Sequence, residues 1–367
     1  MSDKKVFIHI NLPRDVLRKA AAKENFKETA LKYSSYVSGL VDGFKKNKIE
    51  PIVSFRMHYF FNWRILYKSK YYKYFFILYN FFFGIVDNFF LYRNILKELK
   101  EKKIEFYFTE LNPTITKLFL KKLNENNIKS IEWFGLFPNQ LGFNTRPNKT
   151  IEDFDLIVSG EDYTSFFNSK PKKFLLVPQA IPIDKINKII DYKEEDKIDL
   201  LFVGSVSKIH SNRWEYLEYL CDNYSSIGLY GFGLDQVPNN FSFKKKFKGS
   251  LWGNQYYKKL KEAKIVINLF QDDYESLSDG INIRALEIPA CKSLQICKRI
   301  PSLISYFKED YDIVLFSDKK EMKSKIDYYL DNKNERERII NNGVLKVKKY
   351  DFSNQLRQIL NIFKVQV

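Results

Sequence analysis

A chain of 367 residues, 45% hydrophobic and 29% charged, can build one large domain or two ordinary ones, and that composition excludes a disordered or fibrous protein. Three cysteines without paired spacing exclude a disulfide framework; with an amino terminus lacking a signal-type pattern, they lead us to expect a cytoplasmic protein. The net charge of +17 fits nucleic acid, an anionic membrane surface or a phosphorylated small molecule, and residues 1–184, with 30 Lys and Arg against 19 Asp and Glu, are the more basic half.

In chain order, six short apolar runs come first: KVFIHI (5–10), PIVSF (51–55), IEFYFT (104–109), KSIEWF (129–134), DLIVS (155–159) and KFLLVP (173–178). Each has strand length, and the segments between them suit crossover helices, so the pattern predicts a parallel sheet. Within this half, the segment from His58 to Asn94 is dense in Phe and Tyr. No acidic residue lies between Glu50 and Asp87, while Arg56, Arg64, Lys68, Lys70 and Lys73 are basic. Asn80, Asp87 and Asn88 interrupt its apolar part, which argues against a membrane span. Two readings remain: aromatic helices covering the sheet, or a surface that touches lipid or a lipid-linked molecule.

The pattern restarts with IDLLFVG (198–204), SIGLYG (226–231), KIVINLF (264–270), SLQIC (293–297) and DIVLF (312–316), again alternating with helix-like stretches such as RWEYLEYLCDNY (213–224). Two doubly wound Rossmann-like α/β domains in tandem are therefore expected: 1–184, 185–345, and a final helix in 346–367 that packs back on the first domain. The join is expected in the polar segment 182–197. Two such sheets facing one another would form a cleft lined by strand ends.

Metal and nucleophile schemes have little support. His9, His58 and His210 are the only histidines and no two are at ligand spacing. Asp272 and Asp273 form an adjacent carboxylate pair suited to a hard cation or to a solvated loop. No GxSxG elbow or P-loop pattern is present, and no resident metal or cofactor is expected. Gly204 and Ser205 close one strand, and Gly231 and Gly233 follow another, where backbone amides can approach a phosphate or where a tight turn needs glycine.

The run DGINIRALE (279–287) carries more. A helix starting near Asn282 would point its first N–H groups and positive dipole end at a diphosphate, with Asp279 and Gly280 just before it. Arg284 and Glu287, three apart, share a face. Glu287, about one and a half turns on, is where a ribose attached to that phosphate would sit; a carboxylate accepts from two vicinal hydroxyls. The alternative is an Arg284–Glu287 surface pair of small value. Pro289 weakens this helix, which a merely structural helix had no need to accept.

The pieces LLFVGSVSKIHSNRWEYLEYL, LYGFG, FKGSLWGNQYYKKLKEAKIVINLF, INIRALEIPACKS and ERERIINNG, spread over residues 199–343, resemble in order and spacing the donor half of GT-B glycosyltransferases. The resemblance is closest to the spore-maturation-protein-like branch of the group 1 enzymes. In that group two acidic residues with seven between them mark the donor site, the spacing of Asp279 and Glu287. The resemblance implies that Glu287 binds ribose, that the Asn282 and Ile283 amides cradle the diphosphate, and that Gly204, Ser205 and Arg213 form the phosphate-side loop and helix. Lys292 stands where the family's ending usually has glycine, and no Arg and Lys pair follows the first donor strand, so Lys208 or Arg213 takes that role.

The expected function is transfer of a sugar from a nucleotide-sugar donor without metal and with retention of configuration. Charge on the departing phosphate would be stabilised by helix amides and by Arg213 or Arg284. The expected acceptor is a bacterial-type surface polysaccharide or its lipid-linked precursor, received on the face carrying Arg64, Lys68, Lys70 and Lys73 at the inner face of a membrane. A nucleotide-sugar epimerase of the same fold is the alternative. A nucleic-acid-binding protein is disfavoured because the basic residues are scattered and no binding motif is present.

Overall fold

The computed structural model describes residues 4–10, 34–55, 84–110, 115–134, 150–160, 170–191, 198–270 and 281–365. The chain forms two compact units, one comprising Met1–Gln179 with Phe352–Val367 and the other Ala180–Asp351.

The first unit holds six parallel strands: β1 (Lys5–Ile10), β2 (Glu50–Phe55), β3 (Phe106–Glu110), β4 (Lys129–Phe134), β5 (Leu156–Ser159) and β6 (Phe174–Leu176). Their order is β2-β1-β3-β4-β5-β6. Every apolar run of the amino-terminal half is thus a strand. The third begins two residues later than the run because Lys103, at φ 53, turns the chain out of the preceding helix. Helices α1 (Ser35–Lys46), α2 (Gly84–Glu101) and α3 (Lys117–Glu125) supply the covers. Ser34 and Thr116 cap α1 and α3 by accepting from backbone N–H groups three residues on. On one sheet face Phe7, Tyr107 and Ile157 pack with Tyr92, Ile95 and Leu99 of α2 and with Phe119, Leu120 and Leu123 of α3. On the other, Phe108 lies edge-on to both Phe44 of α1 and Trp133. Residues 56–83, with Arg56, Arg64, Lys68, Lys70 and Lys73, lie outside the described residues.

The second unit has five parallel strands, β7 (Ile198–Ser205), β8 (Ile227–Phe232), β9 (Ala263–Asn268), β10 (Leu294–Lys298) and β11 (Val314–Phe316), in the order β11-β10-β9-β7-β8. Its helices are α4 (Ile183–Ile190), α5 (Asn212–Asn223), α6 (Asn254–Lys261), α7 (Arg284–Ala290), α8 (Pro301–Tyr306), α9 (Lys319–Asp331) and α10 (Lys333–Val347). The join expected within 182–197 falls instead before Ala180. Ile186 and Ile190 of α4 are buried with Leu201, Tyr257, Val266 and Leu286, so the segment read as a linker contributes to this unit's core. The last helix, α11 (Phe352–Asn361), belongs to the first unit, where its first turn meets α1: Asn47 Nδ2 donates to Gly43 O (2.8 Å) and to Ser353 O (2.9 Å).

The connection from α7 to β10 turns through a backbone conformation that a lysine disfavours. Lys292 sits at φ 59, its N–H donating to Pro289 O at 2.9 Å, in the left-handed position past a helix end where glycine is the natural occupant. The turn is therefore kept with a lysine in a strained backbone conformation. Lys292→Gly is expected to stabilise the protein by about 1 kcal/mol, after allowing for the freer unfolded chain. Urea denaturation midpoints of the two proteins check this; a lower midpoint for the glycine variant would mean the lysine stem contributes more than the strain costs.

Candidate functional site

Strand order in the Ala180–Asp351 unit reverses at β7, with β8 on one side and β9 on the other. A parallel sheet leaves a crevice beyond the strand ends at such a reversal, and ligands bind there. Gly204 and Ser205 end β7, and Asn268 ends β9.

The glycines serve packing. A Cβ on Gly231 would lie 1.7 Å from Gly204 O, and the Gly231 N–H already donates to Gly249 O at 2.8 Å. Gly233, at φ 88, caps a short turn and lies so close to Ser207 that a Cβ would be 2.5 Å from its N. The reading of Gly231 as an amide donor to phosphate is therefore corrected: its N–H is committed to the loop. At Gly204 the missing side chain makes room for a guanidinium, because a Cβ there would lie 2.3 Å from Arg284 Nη1.

Basic groups converge on this end of β7. Arg284, the first residue of α7, donates through Nη1 to Val203 O. Arg213 of α5 is buried and donates through Nη1 to Ser205 O at 2.7 Å. His210, in the turn Lys208–His210 between β7 and α5, is held down to about pH 3 in its pKa, first by burial and then by the charges of Arg213 and Arg284. It is therefore neutral, and its Nδ1 is buried without a hydrogen-bond partner. The same holds for Oδ1 of Asn212, whose Nδ2 donates to Phe270 O at 3.0 Å. The charges of Arg213 and Arg284, which add to burial in keeping the imidazole uncharged, also attract an anion. Lys208 is exposed, and its backbone N–H donates to Gln236 Oε1 at 3.0 Å. Ser205 Oγ pairs with Ser207 Oγ at 2.8 Å.

Glu287 is buried at 6% exposure, which removes the surface-pair reading. Its Oε2 accepts from Tyr256 OH and its Oε1 from Tyr257 OH, both at 2.9 Å. Burial pushes its pKa up to about 7 against the opposing pull of the two phenols and Arg284. Each carboxylate oxygen has a second lone pair, so the two tyrosines orient the group without exhausting it. Neither tyrosine was foreseen, although their place in NQYYKKL at the start of α6 puts them side by side.

Asn282 stands just before α7, as expected, and Asn282 Oδ1 accepts from the Ala285 N–H at 3.0 Å. The Ala285 N–H at the helix start is thus already satisfied, and a helix of only seven residues has a small dipole; this bond takes neither of the Asn282 and Ile283 amides expected to cradle the diphosphate. Asn282 and Asn268 also exchange side-chain amide bonds at 3.1 and 3.2 Å, and Asn268 reaches Gln295 Oε1 at 3.3 Å. Pro289 lacks the N–H that would bond Ala285 O in a regular helix; Gln295 Nε2 donates to that carbonyl at 3.3 Å instead. Asp279, Gly280, Asp272 and Asp273 lie outside the described residues. Among the described residues no group of three or more His, Cys, Asp or Glu is placed to hold a metal ion.

Burial revises the expectation that Glu287 can be removed freely. Glu287→Ala would take away the carboxylate that accepts from the Tyr256 and Tyr257 hydroxyls and should cost about 2–4 kcal/mol of stability, whereas Glu287→Gln keeps an acceptor. The raised pKa fixes a pH sign. Between the unfolded value near 4.5 and the folded value near 7, the folded state binds the extra proton, so this group's stabilising contribution declines as pH rises through that window and is flat above it. Relative to Glu287→Gln, the parent is expected to lose about 2–3 kcal/mol between pH 4.5 and pH 8 in urea unfolding. Parallel pH profiles would place the carboxylate in a wetter setting.

Residues 193–361 match the model of a glycosyl transferase-like family. A search of the curated proteins finds no match. Among solved structures, a glycosyltransferase from Rickettsia africae is similar over 99% of this chain and 98% of its own, at 13% identity and a TM-score of 0.57. The sucrose-phosphate synthase of Thermosynechococcus elongatus aligns over 98% and 99% at 10% identity, TM-score 0.58. An alpha-glucosyltransferase in complex with UDP-glucose and DNA aligns over 98% and 99% at 11% identity, TM-score 0.62. With two parallel-sheet α/β units, the chain has the fold of the GT-B glycosyltransferases.

Proposed function

We propose that the protein is a glycosyltransferase that takes a sugar from a nucleotide-sugar donor held by the Ala180–Asp351 unit. The observation that carries this reading is the pairing, at one strand-order reversal, of a basic cluster with a buried carboxylate on the same short helix. Arg284 begins α7 and Glu287 follows one turn later, so an anion beside Arg284 sets an attached ribose near Glu287. The Glu287 carboxylate accepts from the ribose hydroxyls, and Tyr256 and Tyr257 hold it in place. As the glycosidic bond to phosphate breaks, the bonding electrons leave with the nucleoside diphosphate. Arg284, Arg213 and the backbone amides at the start of α7 stabilise that charge without metal. Retention of configuration and a place in the spore-maturation-protein-like branch are part of the proposal and follow from the resemblance of residues 199–343.

The acceptor we propose is a surface glycan or its lipid-linked precursor, met at an anionic membrane surface through Arg64, Lys68, Lys70 and Lys73. No helix among the described residues is long and apolar enough to cross a membrane, so contact would be peripheral. An epimerase acting on a nucleotide sugar is the second reading. It is favoured by the likeness, over 99% of this chain at 10% identity and a TM-score of 0.52, to a putative UDP-N-acetylglucosamine 2-epimerase from Listeria monocytogenes.

A thermal-shift screen of UDP-, GDP-, CMP- and dTDP-linked sugars, run with and without EDTA, tests the donor. One nucleotide should raise the midpoint in both conditions, since a ligand at 100 times its Kd adds about 2.7 kcal/mol. No response to any of them would sink the reading, and a donor converted with no acceptor present would shift it to epimerisation. For the membrane, replacing Arg64, Lys68, Lys70 and Lys73 by Ser should remove about 1 kcal/mol of attraction each. Cosedimentation with anionic liposomes should then collapse while nucleotide affinity is kept. Equal sedimentation of parent and variant would return the segment to a structural cover.

A further inference from the structure

Two side-chain atoms at the turn from β7 into α5 are buried and find no hydrogen-bond partner among the described residues: His210 Nδ1 and Asn212 Oδ1. His210 closes the turn Lys208–His210, and Asn212 opens α5. A buried polar atom without a partner is uncommon, and two on one turn call for a group that meets them. The chemistry of that group can be read from Asn212. Its Nδ2 donates to Phe270 O at 3.0 Å, just past the end of β9, and a carbonyl can only accept. That bond fixes which way the amide faces, so the atom left over is its oxygen.

Asn212 Oδ1 is thus an acceptor and nothing else, and its partner must bring an N–H or O–H. An ionised phosphate brings only lone pairs. The crevice therefore draws an anion with Arg213 and Arg284 and sets beside them an atom that the anion cannot satisfy. His210, kept uncharged by burial and then by those two guanidiniums, adds a ring nitrogen that a hydroxyl can meet as donor or as acceptor. The Arg284 charge acts both on Glu287, one turn on along α7, and on His210, whereas Glu287 is not among the groups that act on His210. Arg284 lies between the two. A diphosphate beside it, with its ribose at Glu287, turns its other end toward His210 and Asn212, and that end carries a sugar before transfer and a bare phosphate oxygen afterwards.

We infer that Asn212 is a specificity-determining residue: its Oδ1 accepts from a hydroxyl of the sugar to be transferred, and so favours the intact nucleotide sugar over the nucleoside diphosphate left behind. Once the sugar has gone, Oδ1 faces a phosphate oxygen, acceptor against acceptor, and the mismatch promotes release of the product. This inference deepens the reading of the Ala180–Asp351 unit as a nucleotide-sugar site and rests on it.

The test is isothermal titration of the full chain with UDP-glucose, UDP-N-acetylglucosamine, GDP-mannose and dTDP-glucose, each against its own nucleoside diphosphate. In a pair that binds, Asn212→Leu, similar in shape but unable to accept, should shift the ratio of the two affinities about tenfold toward the diphosphate. Damage from losing the bond to Phe270 O falls on both ligands and cancels in that ratio. Asn212→Asp keeps an acceptor oxygen and adds a negative charge, so it should hold the parent's preference for the nucleotide sugar or raise it. Equal changes for both ligands in the leucine variant would make Asn212 a brace of the turn and overturn the inference, with the nucleotide reading intact. Binding of a diphosphate with no response to any nucleotide sugar would overturn it in the same way. Silence toward every nucleotide would remove both readings together.

Discussion

A parallel sheet that grows outward in both directions from one strand cannot cover that strand's carboxyl end with its own crossovers, because successive right-handed connections depart to opposite faces. That constraint acts at β7 in one unit and at β1 in the other. At β7 the opening is occupied by short contacts between strand ends and helix starts. Gly204 gives up a side chain so that Arg284 can reach Val203 O, and Arg213 returns from α5 to Ser205 O. The guanidiniums thus brace the edges of the crevice, and the field they create there follows from the bracing.

Fixing charge in this way has a cost that the surrounding groups offset. His210 stays neutral, because burial and then the charges of Arg213 and Arg284 hold its pKa down. Glu287 is desolvated on α7 but keeps two phenolic donors, a firmer orientation than water would give. Pro289 breaks the same helix, and the carbonyl it orphans is met by Gln295 from the neighbouring strand. Helix, strand and polar ladder therefore hold Glu287 at a fixed depth relative to Arg284.

The fold was legible because its strands are short apolar runs between polar segments; all eleven runs are strands, with ends shifted by a few residues at most. The boundary at Ala180 was not, because the segment around α4 looks polar in composition while burying Ile186 and Ile190 at helical spacing. At the candidate site, Arg284, Glu287 and Asn282 could be named from DGINIRALE, but their partners could not. Tyr256, Tyr257 and His210 come from segments distant in sequence whose contacts exist only after the sheet forms. Asn268 and Gln295 did carry a signal, each a polar residue inside an otherwise apolar strand. Gly231 could be read either way because a missing side chain looks alike in sequence whether it faces a ligand or the carbonyl of Gly204.

The first unit is discontinuous in sequence: α11 completes it after the whole Ala180–Asp351 segment has intervened. Phe352, Leu356 and Ile359 are buried, and Asn47 ties the end of α1 to Ser353 across 306 residues. During synthesis, therefore, the later unit has all of its chain before the earlier one does, and the earlier sheet must wait with one face unclosed. Shortening the chain at its carboxyl end would injure the amino-terminal unit, and expressing that unit as a simple amino-terminal fragment would leave α1 without its partner.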